Sequence, residues 1–285
     1  MDAIVLAGAD NNGRLKDVDP AAYEALIDIN GRPMLAYVID AMLGAREVGR
    51  IAVVGPGEPI RAALSDVSPE IAGALGGRII LVNSKGSIFE NVVAGMQHLG
   101  ARDLVLLVTA DLPLLTASAI DDFIARCRAR GNAHVYYSVI SKDTNDARFP
   151  GMKRTYQKLA EGVLTGGNLT AIHPDALEGA KRLIEMGIAA RKKPWLMGVV
   201  LGPRCLLKFV LGCLRIKDVE DRFRQMTGLT GYGVISPYAE IAVDVDKPSH
   251  LELVKAYLAR GTGGLGDSPG TGSPGKGAGN GGQAV

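Results

Sequence analysis

The chain opens on a run that stops short. Residues 3–7, Ala-Ile-Val-Leu-Ala, are unbroken and apolar, and they end at Gly8 in the small, turn-forming stretch Ala9-Asp10-Asn11-Asn12-Gly13. Such a run, with no polar alternation, reads as a strand buried on both faces that empties into a loop. The unit recurs at residues 51–54, 78–82, 103–108 and 133–140. Between these runs, residues 33–43, 60–65, 87–98 and 117–130 carry apolar side chains at helical spacing. Doubly buried strands alternating with helices predict an α/β chain with a mostly parallel sheet covered by helices on both faces. In such sheets ligands gather beyond the carboxyl ends of the strands, so the loops after the apolar runs are the places to look.

The first loop has few bulky side chains. From Leu6, Ala7, Gly8 and Ala9 to Gly13, its backbone N–H groups can approach an anion such as a phosphate, and Arg14 adds a fixed positive charge with fork geometry. The run 103–108 is followed by Thr109-Ala110-Asp111-Leu112-Pro113, which sets a carboxylate at a strand's carboxyl end. Asp111 there is either a ligand for Mg²⁺, which takes hard oxygen donors, or a cap for the next helix. Ser87, after Lys85-Gly86, is either a helix cap or a group beside a ligand. Near the C-terminus, Ile241-Ala242-Val243-Asp244-Val245-Asp246 reads as a strand with an acidic end before a helix starting near Pro248 and Ser249. On that strand Asp244 and Asp246 would point the same way.

Residues 144–175 change character. Met152-Lys153-Arg154 places two cations together, and Gly166-Gly167-Asn168 would let backbone and amide approach a polar ligand. A plain hairpin with a solvated basic pair is the alternative.

Leu6-Ala7-Gly8 and Ile29-Asn30-Gly31-Arg32-Pro33-Met34-Leu35, with Ala110-Asp111-Leu112-Pro113-Leu114 between them and Asp244-Val245-Asp246, resemble the nucleotidyltransferases of Rossmann-like fold, in particular the MobA-like NTP transferases. The resemblance implies an NTP-dependent transfer of a nucleoside monophosphate to a phosphorylated acceptor, with release of diphosphate. It implies Asp111 and Asp246 as Mg²⁺ ligands, the Gly8–Arg14 loop around the phosphates, and Ser87 by the nucleoside. Arg14 and Lys153 would be catalytic, and Lys153, Arg154 and Asn168 would face the acceptor. Four departures stand out. Ala9 replaces a second glycine, and the loop is about one residue longer than the common form. Tyr23-Glu24 replaces the family's Pro-Lys, whose lysine touches the nucleotide phosphates. Lys247 and Ser249-His250 replace Thr and Glu-Asp in the closing segment. Glu24 also motivates a second reading, a nucleotide-binding regulatory or scaffold protein that kept the fold and lost turnover. Lys16 or Arg32 would otherwise have to supply the missing charge.

Residues 195–216 are as long as a membrane span, but Pro203, Arg204 and Lys208 interrupt them. Spanning would split the fold across a bilayer. A pair of buried or interface helices, an acceptor lid, or a surface touching membrane or a lipid-like substrate remain. The chain is read as one nucleotidyltransferase domain over residues 1–260, with a helical insertion at about 176–230 and a disordered Gly/Ser/Pro tail over 261–285. A net charge of +2 argues against a nucleic-acid partner. Cys127, Cys205 and Cys213 are scattered, odd in number and without metal spacing, as expected of reduced thiols in a cytoplasmic protein. Nothing in the first residues reads as an export signal.

Overall fold

The computed structural model describes residues 1–152, 154–177, 179, 181 and 195–261. Lys153, part of the insertion, and the tail from residue 262 onward, including the expected disorder there, lie outside the described residues.

In chain order the strands are β1 (Ala3–Leu6), β2 (Asp28–Ile29), β3 (Arg32–Pro33), β4 (Ile51–Gly55), β5 (Ile79–Asn83), β6 (Val105–Thr109), β7 (Val135–Ser141), β8 (Gln157–Leu159), β9 (Gly162–Ile172) and β10 (Gly231–Ser236). The helices are α1 (Met34–Gly44), α2 (Gly57–Ser65), α3 (Pro69–Ala74), α4 (Ile88–Leu99), α5 (Ala117–Ala129), α6 (Lys142–Arg148), α7 (Trp195–Val210), α8 (Ile216–Thr227) and α9 (Pro248–Gly261). The main sheet runs β10-β7-β9-β6-β1-β4-β5, with β8 hydrogen-bonded to β9. Its pairings β1–β4, β1–β6, β4–β5 and β7–β10 are parallel. The expected α/β architecture, a mostly parallel sheet with helices, is the one observed.

Both faces of the sheet are covered because β1 alternates strictly. Ala3, Val5 and Ala7 enter a core shared with α1 and α5, while Ile4 enters a second core shared with α4. At roughly 1.5–3 kcal/mol for each fully buried large aliphatic side chain, a buried face on each side of the sheet is what holds the layers together. The approach of α4 to β1 is close: a Cβ added at Gly95 would lie 2.8 Å from Ile4 Cδ1.

Three details differ from the sequence expectation. First, β9 lies antiparallel between β6 and β7, so the sheet is mixed. The β7–β9 register slips opposite Ser138, with the extra residues on β9; the Ser138 hydroxyl donates to Leu169 O (2.8 Å) and accepts from Leu169 N (3.1 Å) in place of ladder bonds. Second, residues 241–245 form no strand. A 3₁₀ turn over Ala239–Ala242 leads into an irregular segment. Its alternating apolar residues Val243 and Val245 are buried, but in a core beneath loops rather than on a sheet. Third, α7 is kinked at Gly202 (φ 73°) before Pro203, so it is two helical pieces. The second piece is no buried helix. Leu207 is 60% and Val210 75% exposed, with Leu206 and Leu211 also exposed. Gly202, Cys205 and Leu214 are buried there, where the piece rests one edge on the polar helix α8. Among the described residues, no helix is long and apolar enough to cross a membrane.

Cys127 and Cys205 are buried and Cys213 is exposed, all as free thiols. Burial pushes the Cys127 thiol up to about 12, which makes it an inert core group.

Candidate active site

The site is built on a third, smaller core. Leu15 of the first loop, Ile27, Ile29, Met34, Leu114, Phe149, Met152, Val243, Val245 and Leu251 pack together. These residues come from five stretches of the chain, so this cluster carries the loop after β1, the loop after β6, the segment before β8 and the start of α9 on one floor. A two-strand ribbon anchors the second part of the N-terminal motif. Asn30 (φ 54°) and Gly31 (φ 83°) make the tight turn between β2 and β3, the turn that an Asn-Gly pair favours. Pro33 then precedes the first turn of α1 as its N-cap residue.

The first loop leaves β1 through Leu6 and the buried Ala7, whose N–H donates to Val54 O at 2.8 Å. Gly8 must lack a side chain: a Cβ there would stand 2.9 Å from Ser84 Cβ. The loop is then stapled by a residue that sequence reasoning left unassigned. Asn11 is buried, and its amide donates to Asp19 O and Ala21 O, both at 3.0 Å. An Asn among turn formers is the one signal that could have marked it. Ala9 O accepts from Glu24 N at 3.0 Å, and Asp10 bridges Tyr23. Ala9, Gly13 and Arg14 stay exposed on the outside of the loop, and Arg14 opens a 3₁₀ turn, Arg14–Asp17, anchored by the buried Leu15.

Asp111 follows β6, where Ala110 N donates to Leu6 O at 3.0 Å and sets the β6 loop beside the β1 loop. Its own carbonyl accepts from Val245 N, also at 3.0 Å. Asp111 Oδ1 is buried and no protein donor reaches it. Burial pushes the carboxyl up to about 6; the Thr109 hydroxyl pulls it down, and the carboxylates of Asp244 and Glu24 push it further up. Glu24, half-buried, is raised by burial and by Asp246. Four carboxylates, Glu24, Asp111, Asp244 and Asp246, thus share one field.

An orphaned, buried carboxylate oxygen among other carboxylates is a donor set that fits a hard divalent cation. Among the described residues, however, no three His, Cys, Asp or Glu side chains stand close enough to hold a metal alone. Phosphate oxygens of a substrate would have to complete such a shell, as is usual for Mg²⁺.

Asp246 lines a cavity of about 420 Å³ together with Arg154, Thr155, Thr165, Asp244, Lys247 and His250. Arg154 Nη1 donates to Asp244 Oδ1, so it is an ion partner first and not a free cation. Asn168 Nδ2 lies 3.4 Å from Ile241 O. The Gly166-Gly167 pair leaves no room for a ligand at its Cα atoms, because Tyr137 and Ser138 of β7 occupy that space. Ser87 is the N-cap of α4: its hydroxyl accepts from Glu90 N (3.2 Å) and donates to Glu90 Oε2 (2.9 Å). The substitutes considered for the missing lysine fare differently. Arg32 is committed to Asp40 at 2.6 Å and to the Tyr37 ring at 4.9 Å, while Lys16 is exposed on the Arg14–Asp17 turn. Lys247, Thr155, Thr165 and His250 were not among the residues singled out for the site.

The MobA-like NTP transferase domain matches residues 3–186. The bifunctional protein GlmU of Parvibaculum lavamentivorans is 31% identical over 127 residues, which is 44% of this chain and 26% of that protein. The chain thus matches about a quarter of that curated relative's length. A hypothetical transferase from Thermus thermophilus superposes with a TM-score of 0.72 at 30% identity, covering 88% of this chain and 98% of that one. A CMP:2-keto-3-deoxy-manno-octonic acid synthetase solved with CTP superposes with a TM-score of 0.54 over 91% of this chain and 98% of its own; at 18% identity this speaks to the fold alone. On the extent of the domain match, the chain belongs to the MobA-like NTP transferase family.

Proposed function

We propose that the chain is a Mg²⁺-dependent nucleotidyltransferase that moves a nucleoside monophosphate from an NTP to a phosphorylated small-molecule acceptor. An acceptor oxygen attacks the α-phosphorus, the bond from that phosphorus to the bridging oxygen breaks, and diphosphate leaves with the electron pair. The observation that carries this reading is Asp111: a buried carboxylate with an orphaned Oδ1, at the carboxyl end of β6 beside the loop after β1.

Asp111 and Asp246 would hold the cation. Mg²⁺ supplies neutralisation of charge on the phosphate oxygens and the departing diphosphate. The backbone from Leu6 to Ala9 and at Gly13 would cradle the phosphates, and the exposed guanidinium of Arg14 would pair with them. Ser87 would stand near the nucleoside as the cap it already is. Asn168 and the cavity beside Asp246 would orient the acceptor, with Thr155 and Thr165 offering hydroxyls. A role for Lys153 rests on the family resemblance. Such a step needs positioning and charge neutralisation more than covalent help.

Calorimetric titration of each of the four NTPs, with and without Mg²⁺, tests the reading, followed by a diphosphate-release screen over acceptors. Metal-dependent binding of one NTP that is lost in Asp111→Ala is the expected result. Glu24 favours one alternative, a nucleotide binder of the same fold without turnover, because a carboxylate replaces the phosphate-contacting cation. NTP binding with no diphosphate released from any acceptor would establish that alternative.

A further inference from the structure

We infer that His250 is a positioning residue for Asp246, holding one oxygen of that carboxylate against the Nδ1 edge of its ring and leaving the other for the cation. The inference rests on Asp246 being a metal ligand as proposed above.

His250 sits in the first turn of α9 with its side chain 7% exposed. Its Nδ1 lies 2.9 Å from the carbonyl oxygen of Asp244 and 2.8 Å from Asp246 Oδ1. A carbonyl oxygen only accepts, so the proton must be on Nδ1 and is donated to Asp244 O, with Asp246 Oδ1 held at ion-pair distance from the same N–H. The other ring nitrogen gives the same answer. Nε2 is buried with no partner, and a proton there would be a buried, unpaired donor. The tautomer is therefore set by the backbone of the loop that carries both aspartates.

That loop is itself fixed. Asp244 is ion-paired to Arg154, and Val245 N is bonded to Asp111 O. Asp246, by contrast, is 55% exposed, and among the described residues no other donor reaches its carboxylate. An exposed aspartate samples several rotamers; one held by a buried imidazole does not.

Asparagine and glutamine separate the two ring nitrogens. An Asn amide puts an N–H near the place of Nδ1, and a Gln amide puts it near Nε2. The experiment is an electron paramagnetic resonance titration of the full chain with Mn²⁺ in the presence of inorganic diphosphate. The variants are His250→Asn, His250→Gln and Asp246→Ala, with a thermal melt of each. Loss of a group that orients a metal ligand costs about 10–100-fold in metal affinity. His250→Gln is expected to lose that much and His250→Asn to stay within about threefold of the parent chain. If Asp246→Ala binds Mn²⁺ like the parent, Asp246 is no ligand and the proposed metal site fails. If Asp246→Ala loses Mn²⁺ while His250→Gln does not, or if Asn loses as much as Gln, the positioning role is overturned and the metal site stands. Nitrogen-15 NMR of the unmutated chain checks the tautomer without any substitution: a proton on Nε2 and none on Nδ1 would overturn the inference, and the converse supports it.

Discussion

The backbone N–H of Val245 donates to the carbonyl oxygen of Asp111 across 3.0 Å. Through that bond the loop before α9 is held against the loop after β6. Asp244 and Asp246, on either side of the buried Val245, are thereby brought into the field of Asp111 and Glu24. The site concentrates negative charge before any ligand arrives, and its stability must reflect that.

Asp111 gives the clearest pH signature. Its carboxyl is pushed from an ordinary 3.8 up to about 6, chiefly by burial. Between those values the folded chain binds more protons than the unfolded one, so stability falls as pH rises through the window and stays reduced above it. Asp111→Asn removes this penalty. Without metal at pH 7.5 the variant should be more stable by on the order of 1–3 kcal/mol, with the gain shrinking to nothing near pH 4. Urea unfolding at the two pH values measures it; no gain at pH 7.5 would refute the argument.

Glu24→Lys reverses a charge beside Asp111 and Asp246. The substitution puts in the residue type that the family resemblance leads one to expect at this position. NTP binding without Mg²⁺ should tighten by roughly 5–10-fold, about 1 kcal/mol for a half-buried charge reversal next to phosphates. The Asp111 carboxyl should titrate lower as well. Calorimetry with and without metal reads the first effect and carboxyl NMR the second.

Gly8 and Ser84 are coupled sterically. With its Cβ 2.9 Å from Ser84 Cβ, Gly8→Ala must displace one of the two loops at the carboxyl edge of the sheet. The expected cost is about 1–3 kcal/mol. Adding Ser84→Gly should recover at least half of it, so the double mutant will be markedly less destabilised than the sum of the singles. Additive losses would mean that the glycine serves a backbone demand instead of this contact.

Arg154 and Asp244 form a largely enclosed pair, with side chains 14% and 26% exposed. Arg154→Ala strands a carboxylate next to Asp111 and should cost about 1–3 kcal/mol at pH 7.5. Arg154→Ala combined with Asp244→Asn should restore most of that loss. A cycle showing no coupling would separate the arginine from the carboxylate field and return it to the acceptor role suggested by the sequence.

Much of the frame was readable from the chain alone. The unbroken run ending at Gly8, and its repeats, reported burial on both faces, and a parallel covered sheet is the arrangement that satisfies it. Ser87 announced a helix start and is an observed N-cap, whereas the helix after β6 is capped by Thr116 and not by Asp111. Residues 241–245 show where the reading failed. Their apolar content reads as buried, and Ile241, Ala242, Val243 and Val245 are buried, but it cannot say what the backbone bonds to. Val245 N had a partner in Asp111 O, and the buried valines had a core under the loops, so no sheet was needed. The second half of α7 failed in the other sense, since apolar content there did not bring burial.

The sequence by itself determined the alternation of apolar strands and helices over roughly the first 140 residues and placed Gly8 and Asp111 at strand ends, because burial patterns and turn chemistry are local properties of a few consecutive residues. Only the tertiary structure decided what those groups meet: Arg154 on Asp244, His250 on Asp246, Glu24 among the carboxylates in place of a cation. Ion pairs and coupled titrations act through space over a few ångströms. The Arg154–Asp244 pair and the approach of Glu24 to the other carboxylates join residues that lie far apart along the chain, brought together only when the small core of Leu15, Leu114, Met152 and Val245 closes beneath them.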